Sequence, residues 1–172
     1  MFIRHTQMDD LKEVMRIYEN ARAFMAQHGN PRQWGPTKWP PEQLICQDIL
    51  SEKSYVCIEE DSIAAVFFFD YGPHIEPTYE YIEGSWLQTG SYGVVHRIAS
   101  SGVYRGAGSA CIQWAMKKCD ALRIDTHFDN YIMQHTLEKL GFARCGIIYV
   151  HEDKDPRIAY EWIGTKQESA AT

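Results

Sequence analysis

Arg105-Gly106-Ala107-Gly108-Ser109-Ala110 sets two glycines and three other small residues ahead of an apolar helical run that begins at Cys111. Glycine inside a helix costs about 1 kcal/mol against alanine, so a helix that opens this way has a use for the missing side chains. Bare first-turn N–H groups and the positive end of the helix dipole attract an anion. A strand (Tyr92 to Ala99), this turn and then a helix form the layout a pyrophosphate needs. Glycine lets the backbone approach closely, and the turn's amides converge. Arg105 adds a cation at the rim. The competing reading is a plain helix start with small packing residues.

Two phosphate motifs do not fit. A Walker A loop supplies a lysine directly after its last glycine, and none follows Gly106 or Gly108. A dinucleotide fingerprint has a third glycine where Cys111 stands. Asp125 lies where a ribose-binding acid would, but such domains open with a strand–helix–strand unit. Here a helical pair and an antiparallel hairpin come first.

The 172 residues suit one domain that buries about 70% of its unfolded surface. A net charge of −6 argues against a nucleic-acid partner, which would require a basic patch, though not against a local basic groove for a small anion. Cysteines 46, 57, 111, 119 and 145 form no CxxC pair and leave an odd count, which fits reduced thiols. The histidines are scattered without an HExxH, so no metal site is expected. MFIRHTQMDD lacks the apolar segment of a signal peptide, and Ile63 to Phe69 is too short for a bilayer. The expectation is a cytoplasmic protein with no membrane partner.

The elements that must position the anion turn follow from periodicity. Phe2 to His5 reads as a strand, and Thr6 with Asp9 as a capping box for a helix carrying Leu11, Val14, Met15, Tyr18 and Ala21 at helical spacing. That helix stops before His28-Gly29-Asn30-Pro31. Pro41 opens a second helix through Leu44, Ile45 and Ile49. Tyr55 to Ile58 and Ile63 to Phe69 form a hairpin, the latter apolar on both faces and therefore central. Residues 72–90 show no period, and a loop of that length is often functional. Leu122 to Thr126 is a strand, and Asn130 to Leu140 a helix closed by Gly141. Phe142 to Val150 and Arg157 to Ile163 are closing strands. Residues 1–164 form a single domain, and residues 165–172 read as a disordered tail.

The hexapeptide 105–110 also satisfies, at every fixed position, the Gln/Arg-x-x-Gly-x-Gly/Ala loop of the GCN5-related N-acetyltransferases (GNAT). The element order resembles that family from residue 2 to 163, and Asn130-Tyr-Ile-Met133 through Leu137-Glu-Lys-Leu-Gly-Phe142 resembles one of its helices. The resemblance implies an α/β (α+β) fold: a mixed, twisted, mostly antiparallel sheet of about 6–7 strands flanked by about 4 helices. It implies acetyl-CoA as cosubstrate, with its pantetheine in a gap where strand 92–99 splays from strand 122–126. The cofactor would bond to the backbone of Ile98 and Ala99 and to the loop Arg105, Gly106, Ala107, Gly108, Ser109 and Ala110. Asn130 matches an asparagine on the cofactor side, with a helix N-cap as its alternative role.

Acetyl transfer to an amine needs the neutral amine, and deprotonating a lysine-like group at pH 7 costs about 4.6 kcal/mol. By the resemblance, His96 is the base candidate, and a hydrogen-bonded core histidine is the alternative. Strand alternation puts His96 on one face with Val94 and Ile98. Glu80, Glu83 and Asp129 are further candidates. The family's acid, a tyrosine, falls at Leu137, and Tyr149 and Tyr160 are substitutes that could equally be packing residues. Cys111 and Cys119 fall on the apolar stripe of their helix, which favours direct transfer in a ternary complex. Trp34, Tyr79 and Trp86 line the acceptor pocket or fold over the core, and Glu80 and Glu83 attract a cationic amine. The acceptor is a small-molecule or peptide amine, and a homodimer is compatible with this reading. A non-catalytic acyl-CoA-binding module and a nucleotide-binding protein are the alternatives.

Overall fold

A computed structural model describes residues 1–164; the expected tail, 165–172, lies outside the described residues. The chain runs β1 (Phe2–His5), α1 (Leu11–Gln27), α2 (Glu42–Leu50), β2 (Ser54–Glu59), β3 (Ser62–Gly72) and β4 (Glu83–Gly84). It continues with β5 (Tyr92–Ser100), α3 (Ala107–Met116), β6 (Ala121–His127), α4 (Tyr131–Lys139), β7 (Ala143–Tyr149) and β8 (Pro156–Ile163). One sheet of eight strands has the order β1-β2-β3-β5-β6-β8-β7-β4. Only β5 and β6 pair in parallel. The strand beyond the expected number is β4, two residues inside the aperiodic segment. It pairs Gly84 with Gly146 at an approach so close that a Cβ on either would clash with the other backbone.

The 3-10 turn that leads into α1 starts one residue later than the local pattern suggests. Thr6 is buried, and its hydroxyl accepts from Ser54 at 2.7 Å. The cap therefore moves to Gln7, whose N–H donates to Asp10 at 2.8 Å across a 3-10 turn, Met8–Asp10. Anchoring β1 to β2 wins over a local cap because it satisfies groups that burial has removed from water. The β2–β3 hairpin turns through Glu60 and Asp61, both with positive φ (48° and 59°), as a two-residue type I′ turn requires.

The sheet is covered on both faces. Cys111, Ile112 and Ala115 of α3 and Leu137 of α4 pack on Phe67 and Phe69 of β3 and on Leu122 and Ile124 of β6. On the opposite face, Val14, Ile17 and Tyr18 of α1 and Ile45 and Ile49 of α2 pack on Val56 and Val66. The rest of that face is covered by the segment after β3, through Tyr79 against Tyr92, Val94, Ile148 and Ala159. Among the described residues, no helix is long and apolar enough to cross a membrane.

Two irregularities in β5 shape the site. Phe68 pairs with His96 and Val66 with Ala99, so β5 carries one residue more than β3 there. The extra residue is Arg97, with φ 49°, and the strand bulges. Three contacts hold it: its guanidinium bonds Asp48 of α2 at 2.8 and 2.9 Å, it lies 4.5 Å above the Phe68 ring, and its carbonyl accepts the Tyr18 hydroxyl at 2.6 Å. The bulge corrects the alternation. His96 stays on the face of Val94, but Ile98 packs into the α3 layer and Ala99 into the α1–α2 layer. The second irregularity is that β5 and β6 pair only at Gly93–Leu122 and Val94–Arg123. Beyond those two pairs the strands part and leave a gap.

Candidate active site

The gap opens into a cleft of about 270 Å³, floored by Val95, His96 and Ile98 of β5 and Ile124, Asp125 and Thr126 of β6. Its walls come from three connections: Gln33, Trp34 and Trp39 after α1, Glu76 and Thr78 after β3, and His151 and Glu152 between β7 and β8.

At its centre, His96 Nε2 lies 2.7 Å from Glu76 Oε2, and Nδ1 lies 3.8 Å from Asp125 Oδ2. Glu76 is oriented in turn, because its other oxygen accepts the Thr78 amide at 3.2 Å and hydroxyl at 2.8 Å. Burial opposes ionisation of Glu76, but the hydrogen bond and charge of His96, with the Thr78 donors, outweigh it and lower its pKa to about 2. Glu76 is thus an acceptor at neutral pH, and Nε2 carries the proton it receives. Neutral His96 then presents the Nδ1 lone pair. Asp125 accepts the Tyr79 hydroxyl at 2.6 Å, and burial followed by the Asp125 charge raises the Tyr79 pKa well above its ordinary value. Tyr79 therefore stays a donor and keeps Asp125 in place. An imidazolium formed at His96 would sit between two carboxylates, which is the arrangement that stabilises a base after it has taken a proton.

The turn before α3 is open where a diphosphate would lie. Gly106 is its N-cap in the left-handed region (φ 81°), with no side-chain cap, and the first helical bond runs from Ala110 N–H to Gly106 O at 3.0 Å. The amides of Ala107, Gly108 and Ser109 precede that bond. The amides of Gly102 and Val103, by contrast, are taken by the hydroxyls of Ser100 and Ser101. A Cβ at Gly106 or Gly108 would meet no atom within 4 Å, so the face of the turn is uncovered, and Arg105 is exposed beside it. A diphosphate fits this donor set.

The structure brings together only part of what the sequence proposed. His96, Ile98, Asn130 and Trp34 line the cleft, and Ala99 is buried just beyond. Asn130 is a true N-cap, accepting Met133 N–H at 3.1 Å, while its amide donates to Gln33 at 2.9 Å and ties α4 to the wall after α1. Tyr79 and Trp86 fold over the core instead of lining the cleft, with the Trp86 indole N–H on the Tyr79 carbonyl and the Arg123 guanidinium 4.1 Å over the Trp86 ring. Glu83 stands on the β4 edge with the Tyr149 hydroxyl, away from the cleft, and Glu80 is exposed and paired with His74. Asp129 faces His127. Leu137 and Tyr160 are wholly buried in the α3 layer, so neither reaches the cleft. Cys111 is likewise in the core, and burial pushes the Cys119 thiol to about 11.

Sequence reasoning missed Glu76 and Glu152, and weighed Asp125 only as a ribose-binding acid in a reading it set aside. Asp125 carried a signal: in Ala121-Leu-Arg-Ile-Asp-Thr-His127, Arg123 and Asp125 alternate with apolar residues and so share one face. Glu76 and Glu152 lie in connections whose paths no period describes.

No protein-family model and no curated protein matches the chain. Among solved structures, an acetyltransferase of the GNAT family from Streptococcus agalactiae superposes with a TM-score of 0.84 at 33% identity, over 96% of each chain. A GNAT-family acetyltransferase from Listeria monocytogenes gives a TM-score of 0.69 at 16% identity, over 94% of each chain. A ribosomal-protein-alanine N-acetyltransferase from Brucella melitensis gives 0.61 at 16%, over 95% of this chain and 99% of its own. The last two share the fold. One-third identity along nearly the whole of both chains, on a sheet that parts beside an open glycine turn, places this protein in the GNAT family of acetyltransferases.

Proposed function

We propose that the protein is an acetyl-CoA-dependent N-acetyltransferase acting on a primary amine by direct transfer in a ternary complex. One observation supports this above the others: the open amide turn and His96 both belong to β5 and its immediate continuation, flanking the point where β6 departs, and the connection after β3 brings Glu76 onto His96 there. The amides of Ala107, Gly108 and Ser109, with Arg105 at the rim, would hold the diphosphate, and the backbone of Ile98 and Ala99 would follow the gap. Bound acetyl-CoA supplies an acetyl thioester. His96 removes the proton from the acceptor amine at Nδ1, directly or through one water, and Glu76 keeps the imidazole oriented through Nε2–H. Asp125, held by Tyr79, stabilises the resulting imidazolium. With Leu137 in the core, that position of α4 contributes no acid, and a leaving thiol with an acidity near that of cysteine, about 8.5, needs none. Cys111, wholly buried, offers no nucleophile for a covalent acetyl-enzyme.

Thiol release from acetyl-CoA with a panel of primary amines tests the reading. His96→Ala is expected to lower kcat/KM by about 10²–10⁴ near neutral pH, with the loss shrinking at high pH, where the amine is already free. A uniform loss at all pH values would assign His96 to packing. Cofactor binding without amine-dependent release would instead favour an acyl-CoA-binding module.

A further inference from the structure

We infer that the acceptor is a dication, an amine bearing a second ammonium or guanidinium group, and that Glu152 binds the charge that does not react. The inference rests on the transfer reading above and names its substrate class.

Each arginine on the cleft is already neutralised. Arg97 is paired with Asp48 at 2.8 Å, and Arg157 with Asp153 at 2.7 Å. Three carboxylates remain, Glu76, Asp125 and Glu152; His96 opposes the first two, and the exposed His151 is the other histidine on the wall. Glu152 is half-buried and, among the described residues, makes no hydrogen bond or ion pair with the side chain of another residue. Burial raises its pKa, and the Asp125 and Asp153 charges add to that against the opposing pull of its own backbone amide and of Arg157, whose guanidinium is already held by Asp153. A monoamine gives up its charge when it reacts. Once His96 had taken that proton, the cleft would still hold an excess of negative charge at Glu152. An acceptor that keeps one ammonium balances it throughout, and a charge-assisted hydrogen bond to a half-buried carboxylate is among the stronger polar contacts available.

The rest of the wall describes the body that joins the two charges. Met25, Trp34, Trp39, Leu44 and Val150 are apolar, and together with the small volume of about 270 Å³ they fit an aliphatic spacer. Recognition then has two parts: a neutral amine at His96 and a retained cation at Glu152, separated by apolar contact.

The test compares α,ω-diamines of three to six methylenes with n-alkylamines of equal length, at fixed ionic strength, in wild type and in Glu152→Gln. Thiol release gives kcat/KM, and calorimetry in the presence of coenzyme A gives diamine affinity. The best diamine is expected to exceed its matched monoamine by about tenfold or more in kcat/KM. In Glu152→Gln that ratio is expected to fall towards one and diamine affinity to drop by a similar factor, with the unfolding midpoint retained. A ratio near one in wild type, or a preference that survives Glu152→Gln, overturns the inference while leaving acetyl transfer standing. Diamine binding that depends on Glu152 without thiol release from any amine upholds the cation site and overturns the transfer reading. Neither binding nor release overturns both.

Discussion

His96 became legible through a resemblance, but its chemistry did not. What makes it a base is the pair of carboxylates around it, supplied by the connection after β3 and by the neighbouring strand β6. Glu76 titrates near 2, below its ordinary value of 4.5. A depressed carboxylate pKa stabilises the fold fully above the unfolded value, and that stability is lost as pH falls from about 4.5 towards 2. Glu76→Gln is therefore expected to destabilise the protein by about 2–3 kcal/mol at pH 6, with the deficit narrowing below pH 4, as read by urea unfolding across pH. In the same variant kcat should fall while the KM for acetyl-CoA holds, because the imidazole loses its orientation and the diphosphate turn is untouched. A deficit that persists unchanged to pH 3 would assign the loss to packing instead.

At the scale of elements, the turn before α3 and the bulge in β5 differ in how they were encoded. Two glycines among small residues announce an uncovered helix start, and the structure keeps it uncovered. Gly108 sits inside α3 with ordinary backbone angles and open space around a would-be Cβ. Gly108→Ala is expected to stabilise the fold by up to about 1 kcal/mol, about 2–4 °C in Tm, through helix propensity. It should also raise the KM for acetyl-CoA several-fold, because the methyl group occupies the face that the amides present. Stability gained with no change in that KM would remove the cofactor from this turn. The bulge left no comparable mark. Nothing in His96-Arg97-Ile98 favours a left-handed arginine; Asp48 and Tyr18, from two helices of the opposite layer, impose it.

Across the whole molecule, the cleft depends on walls that the sheet itself does not supply. The connection after α1 is tied to the β7–β8 connection by Arg32 on Asp155 (2.6 and 2.8 Å), and to the start of β8 by the buried Arg157 on the Gln33 carbonyl (3.1 Å). Asp155 also accepts from His127 Nε2 at 2.9 Å. The Arg32 hydrogen bonds, and then His127, hold the Asp155 pKa below its ordinary 3.8, so this tie is present above that pH and weakens as pH falls below it. Asp155→Asn is expected to raise the acceptor KM several-fold, to leave the acetyl-CoA KM within about twofold, and to speed amide exchange in both connections. Equal rises in both KM values would show that the tie supports the sheet rather than the acceptor wall.

From the chain alone came the strands other than β4, the helices and their order, the open amide turn and the family resemblance. These rest on short-range rules: the alternation of apolar residues, the conformations that glycine and proline permit, and the dipole at a helix start. The tertiary structure decided that Ile98 leaves the face of His96, that Tyr79 braces Asp125 instead of meeting substrate, and that Glu76, Asp125 and Glu152 face one cleft. Each of those outcomes depends on packing and ion pairing between segments far apart in the chain. The energy of such contacts is set by which groups burial brings together, and no local pattern of residues encodes it.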